Sequence, residues 1–160
     1  MRAAGATLLA ATMLTPWPAL AADYWFLGEG SDVYDFVDIS RITPLDDGAL
    51  QAWTTRVLEG KKAKGKKVKT VLSLAVFYCG QDAMRLVRSV EYSANGKLVA
   101  DKDVSQGPPT QITPGTVGAV EYDFVCADPF ARSDKYRDLG DIEPIARADS
   151  LWKQTPGRRS

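Results

Sequence analysis

The chain reads as an α+β domain: an antiparallel sheet of about six strands packed against one C-terminal helix, with one disulfide. Three observations predict this. Short segments alternate apolar and polar residues at period two and are separated by Gly- and Asx-rich turns. A later stretch, 113–127, spaces its apolar residues for a helix instead. The two cysteines, Cys79 and Cys126, stand at the ends of a strand-like run and of that helical stretch.

The N-terminus is expected to be an address. Met1-Arg2 is a positive start, Ala3 to Leu14 is uncharged and apolar, and Ala19-Leu20-Ala21 is a small-x-small site, the three parts of a secretory signal peptide. Residues 1–21 are therefore assigned to the signal, with cleavage after Ala21. The run is interrupted by Pro16 and Pro18 and falls short of the roughly 20 apolar residues a membrane span needs, so no span is expected after cleavage. The expected location is exported, periplasmic or secreted, with the cell surface as a further possibility. In an oxidising compartment an even pair of cysteines forms a bridge, and closing this loop stabilises by roughly 4 kcal/mol in the chain-entropy model.

Tyr24 to Gly28 and Val33 to Ile39 form the first two expected strands, joined by the turn chemistry of Gly28-Glu29-Gly30-Ser31-Asp32. Val33, Tyr34, Phe36, Val37 and Ile39 give the second strand apolar residues on both faces, so the pattern does not say which face is core. Ala49 to Leu58 and Val68 to Cys79 follow as a long-tipped hairpin around Glu59 to Lys67. Met84 to Ser93 and Lys97 to Ala100 flank Asn95-Gly96, a type I′ hairpin signal. Thr113 is the expected N-cap of the helix, with Pro114 at its first position. Residues 22–127 thus make the domain. Residues 128–160, charged and poor in aliphatics, are expected to be a solvated, partly disordered tail in which a short helix near 144–153 docks or stays mobile.

Composition excludes several chemistries. The 160 residues carry 20 Lys+Arg against 20 Asp+Glu, a formal net charge of zero, which is not the balance of a strongly basic nucleic-acid binder. Without His there is no imidazole base or ligand, and two cysteines alone do not fill a structural zinc site, so neither metal nor cofactor is expected. Carboxylates recur at Asp32, Asp35 and Asp38, at Asp46-Asp47 and at Asp101 with Asp103; the first set lacks the ordered spacing and terminal bidentate Glu of a calcium loop, separation in sequence does not identify a glycosidase pair, and no catalytic residue is assigned.

Lys61, Lys62, Lys64, Lys66, Lys67 and Lys69 lie within nine positions and are the compositional outlier. Such a run either solubilises a hairpin tip or contacts a polyanion or an acidic protein surface. With Arg85 and Arg88 it forms the candidate binding surface. No aromatic residue lies between Val57 and Val68 to stack on a base, which disfavours nucleic acid as a specific ligand.

The ordered set of Tyr24-Trp25, Val37-Asp38, Ser40-Arg41-Ile42, Trp53, Cys79, Ser93-Ala94-Asn95-Gly96-Lys97, Thr113-Pro114-Gly115-Thr116-Val117-Gly118 and Val125-Cys126 resembles the surface-adhesin protein E-like family across residues 23 to 127. The resemblance implies a sheet packed on a C-terminal helix, a cysteine bridge joining them, and adhesion to host proteins. The expected function is a non-enzymatic exported binding module for a protein or acidic polymer. A structural or accessory envelope protein with no host ligand is the alternative, and a hydrolase comes third.

Overall fold

The computed structural model describes residues 22–30, 33–59, 62–63 and 66–154, with the side chains of Lys62, Ala63, Lys66 and Asp134 outside that description. The expected signal peptide lies outside the described residues. Along the chain run β1 (Tyr24–Glu29), β2 (Val33–Asp38), β3 (Thr43–Pro44), β4 (Leu50–Leu58), β5 (Lys62–Ala63), β6 (Lys66–Tyr78), β7 (Ala83–Ser93), β8 (Leu98–Asp103) and β9 (Thr110–Gln111). They are followed by α1 (Val117–Cys126), α2 (Arg132–Lys135), β10 (Arg137–Gly140) and α3 (Pro144–Gln154). The main sheet is antiparallel throughout, in the order β10-β1-β2-β4-β6-β7-β8, and the two-residue strands β3, β5 and β9 pair with β4, β6 and β7.

All six strands expected from the alternation are present. The hairpin register explains why β2 is apolar on both sides. Val37 packs with Ala52, Ala75 and Phe77 beneath Tyr122, Phe124 and Val125 of α1, while Tyr34 and Phe36 pack with Val57 beneath Ala148 and Trp152 of α3. Successive residues of a strand point to opposite faces, so a strand between two helices is apolar at consecutive positions. A helix covers each face of the sheet at its β1-β2-β4 end, where one helix on one face was expected.

Cys79 and Cys126 form the disulfide, with Cα atoms 5.4 Å apart, and fasten the C-terminus of α1 to the end of β6. Beside it, the Tyr122 hydroxyl donates to the Cys79 carbonyl at 2.5 Å and lies 3.0 Å from Asp82 Oδ1, so helix and turn are joined by polar contacts as well.

One helix boundary and one turn type differ from expectation. Helix α1 starts at Val117 and is capped by Thr116, whose hydroxyl accepts from the Ala119 amide at 3.3 Å. Gly115 takes φ +77°, which no helix interior admits, so Thr113-Pro114 belongs to the preceding turn. In the β7–β8 hairpin only Gly96 has a positive φ, +74°, whereas a type I′ turn needs two such residues. The Gly96 amide donates to the Ser93 carbonyl and the Ser93 amide to the Lys97 carbonyl, the pattern of a longer loop in which glycine alone carries the left-handed turn.

Over 129–154 the chain is built onto the sheet where a solvated, partly disordered tail was expected, and of the two expectations for the short helix the docked one is seen. Arg132 folds back and donates to the carbonyls of Phe124 and Val125, both at 3.1 Å, satisfying acceptors that the end of α1 leaves open. Tyr136 packs edge-on against Phe124, β10 adds to the free edge of β1, and Leu139 enters the α3-side core. Apolar residues are few here, but Pro144, Ala148 and Trp152 recur every four positions and give α3 one buried stripe. Residues 155–160 lie outside the described residues.

Candidate functional site

The long hairpin β4–β6 carries the lysine run beyond the sheet, where Lys62 pairs with Lys67 and Ala63 with Lys66. Lys61 and Lys64 lie outside the described residues, and of Lys62 and Lys66 only the backbone is described. Lys67 is exposed at the hairpin root. It borders two depressions. One, of about 380 Å³, is lined by Leu58, Lys67, Lys69 and Ala94 on the sheet side and by Ile145 and Trp152, among others, on α3. The second, of about 540 Å³, shares Lys67 and Ala94 and adds Lys97, Leu98 and Val99 at the start of β8. Lys153 at the end of α3 also lines the first. Joined at Lys67 and Ala94, they make a trough with aliphatic and aromatic walls, cations from β6, the β7–β8 turn and α3, and the carboxylates Glu59 and Asp149 in the first depression. Among the described residues, the side chains of Lys67, Lys97 and Lys153 make no ion pair.

Lys69 differs from the other lysines. The β6–β7 register shifts between Val68 and Thr70, which leaves Lys69 as an extra residue in a bulge. Thr70 stands opposite Val57, on the α3 side of the sheet, so strict alternation would point Lys69 to the α1 side. A bulge re-aims a side chain. The Lys69 ammonium accordingly lies 2.8 Å from Asp149 Oδ1 and 4.1 Å from the centre of the Trp152 ring, both on α3.

Arg85 and Arg88 are not brought to this trough. They stand opposite Val76 and Leu74, six to eight residues along β6 from Val68, or about 20–26 Å at the rise of a strand. Arg88 is further engaged by a two-pronged contact to Asp101, 2.9 and 2.6 Å long. That hydrogen bonding raises the guanidinium and lowers the Asp101 carboxyl.

Of the other carboxylates singled out in the sequence, Asp32 lies outside the described residues, and Asp38, Asp47 and Asp103 have structural partners. Asp38 accepts from the amides of Asp23 and Ser40 and from the Ser40 hydroxyl, and pairs with Arg41. Asp47 and Asp103 accept from amides two residues on. The sequence reading missed one cluster: Arg56 of β4 donates to Asp35 of β2 at 2.7 Å and lies 3.4 Å from Glu121 of α1, beneath the helix. Its members come from three elements, and the only signal was a Glu among the apolar positions of a helix.

Burial pushes the Glu121 carboxyl up to about 7 from 4.5, against the pull of Arg56, with Asp35 adding to the rise. A carboxyl raised on folding takes up a proton as the chain folds, so its stabilising effect is fully present below 4.5 and is lost as pH climbs through about 7. Urea denaturation at about pH 5 and about pH 8 is expected to show this loss, at most about 3 kcal/mol from this group, and to show it flattened in Glu121→Gln. An undiminished loss in the variant would assign the pH dependence elsewhere.

Residues 25–127 match the family model of surface-adhesin protein E. The chain belongs to the surface-adhesin protein E family. Searches of curated proteins and of solved structures return no match. The adhesin match takes in the lysine hairpin, the bridge and α1, and stops short of β10 and α3. The trough of this adhesin-family protein is thus walled on one side by a helix outside the matched region. Among the described residues, no helix is long and apolar enough to cross a membrane.

Proposed function

We propose that the protein is an exported, non-enzymatic binding module that captures a protein partner through the lysine hairpin and the trough at its root. The observation that carries this reading is that Lys67 and Lys153 line one apolar-walled depression at the hairpin root, beside Glu59 and Asp149, while Lys67 and Lys97 line the adjoining one. Membership of an adhesin family favours adhesion over catalysis. The engagement of Asp38, Asp47, Asp101 and Asp103 in caps, turns and an ion pair favours the same reading. Export is supported by the signal-like segment 1–21 and by a disulfide, which persists in oxidising compartments.

Recognition through exposed cations is screened over about 8 Å at physiological salt. Replacing Lys61, Lys62, Lys64, Lys66 and Lys67 by Gln is therefore expected to weaken capture of the partner by about tenfold or more at low salt, where the native protein binds best. Capture is measured from extracellular-matrix extract and, separately, from envelope extract of the producing cell. Equal capture by native and substituted protein would remove the hairpin from the reading. Salt-sensitive capture from the envelope extract alone would make the protein an accessory envelope component.

A further inference from the structure

Lys69 already holds a carboxylate. Its side chain is 19% exposed, whereas the Asp149 side chain resting on it is 48% exposed. An incoming acidic group therefore approaches the pair from the Asp149 side, and the charge it would neutralise already rests against the Trp152 ring. We propose that Asp149 is a cis occupant of a carboxylate site, and that the partner is an acidic polypeptide segment that displaces it from Lys69 and loosens α3. This rests on the reading of the lysine surface as the binding surface.

Three features support it. First, the depressions on either side of Lys67 and Ala94 offer room for several residues of an extended chain, with Lys67 and Lys97 on the sheet side to meet further carboxylates. A single acidic group would gain little over Asp149, whereas a run of them would gain at each lysine. Second, α3 is held lightly. It has eleven residues with one buried stripe, and a helix of that length is marginal in water without its tertiary contacts. Third, one side chain links the two events, since Lys69 both fastens Asp149 and underlies Trp152, the main apolar anchor of α3. By linkage, a ligand that takes Lys69 away from Asp149 binds more tightly when Asp149 is absent, and its binding weakens the docking of α3 in turn.

The test uses poly-L-glutamate as the probe and the full chain at low ionic strength. Asp149→Asn is expected to tighten binding by roughly two- to fivefold, the range set by an exposed ion pair. Asp46→Asn, which removes the same charge from the exposed Leu45–Ala49 turn, is expected to gain less. Lys69→Met, which keeps an apolar stem on Trp152 but removes the charge, is expected to abolish the gain from Asp149→Asn. In the native protein, added poly-L-glutamate is expected to speed amide hydrogen exchange in 144–154. Equal gains from the two Asp variants, a gain that survives Lys69→Met, or unchanged exchange in α3 would overturn the cis-occupant proposal while leaving the binding surface standing. Binding of heparin without poly-L-glutamate would overturn the carboxylate class. Binding of neither would remove the surface as well.

Discussion

Replacing Cys79 and Cys126 together by alanine is expected to lower the free energy of unfolding by about 4 kcal/mol, which places the bridge among the largest single contributions to a domain of this size. The effect comes from the unfolded chain. The bridge joins positions 47 apart and encloses β7, β8, β9 and α1, so its removal frees that loop in the denatured state. The folded state keeps its other ties: the Tyr122 hydroxyl still reaches the backbone carbonyl at position 79, Phe124 still lies in the core, and Arg132 still caps α1. The variant is therefore expected to fold with a lower urea midpoint. A midpoint equal to that of the native protein would show that the closed loop contributes nothing.

Trp152→Ala is expected to cost about 3 kcal/mol or more, as truncations of buried aromatic residues do. The residue is 9% exposed, its ring lies 4.9 Å from the Tyr34 ring, and it belongs to a cluster with Phe36, Val57, Leu139 and Ala148. Losing it removes the chief contact of α3 and the aromatic surface under Lys69, so α3 undocks before the sheet unfolds. Limited trypsin digestion is expected to cut the variant faster after Arg147 and Lys153 than the native chain, alongside the drop in urea midpoint. An unshifted midpoint with unchanged digestion would mean that α3 is not held by Trp152.

Much of the sheet was legible in the sequence because strands announce themselves by alternation, as Val68, Thr70, Leu72, Leu74 and Val76 of β6 do. The consecutive apolar residues of β2 were the trace of a second covered face, but that trace does not say what covers it. Helix α3 was legible as a short helix near 144–153 but its docking was not, because three small or isolated apolar residues among charges suffice to seat a short helix on an aromatic patch, and composition alone reads them as solvated. The hairpin turn was placed correctly and its type was not, because Asn-Gly serves both a type I′ turn and a longer loop closed by glycine alone.

The candidate site was legible as a run of lysines and not as a geometry. Arg85 and Arg88 stand near one another in sequence and share β7 with the strand facing the hairpin, yet strand rise carries them far from its root. Lys69 belongs to the run by position but is separated from it by a bulge, which alternation does not reveal. The cations that complete the trough, Lys97 and Lys153, come from a turn and from a helix distant in sequence. Only the fold brings them to Lys67.

Everything proposed for the lysine surface depends on 137–154 being built onto the sheet, beyond the region shared with the adhesin family. Hydrogen–deuterium exchange of the full chain, read on peptides covering that segment, tests this most directly. Protection of the β10 amides paired with β1, together with slowed exchange through Ala148–Trp152, is the predicted result. Exchange across the whole segment at the rate of an unstructured peptide would contradict it, leaving Lys69 without its carboxylate and the trough without its second wall.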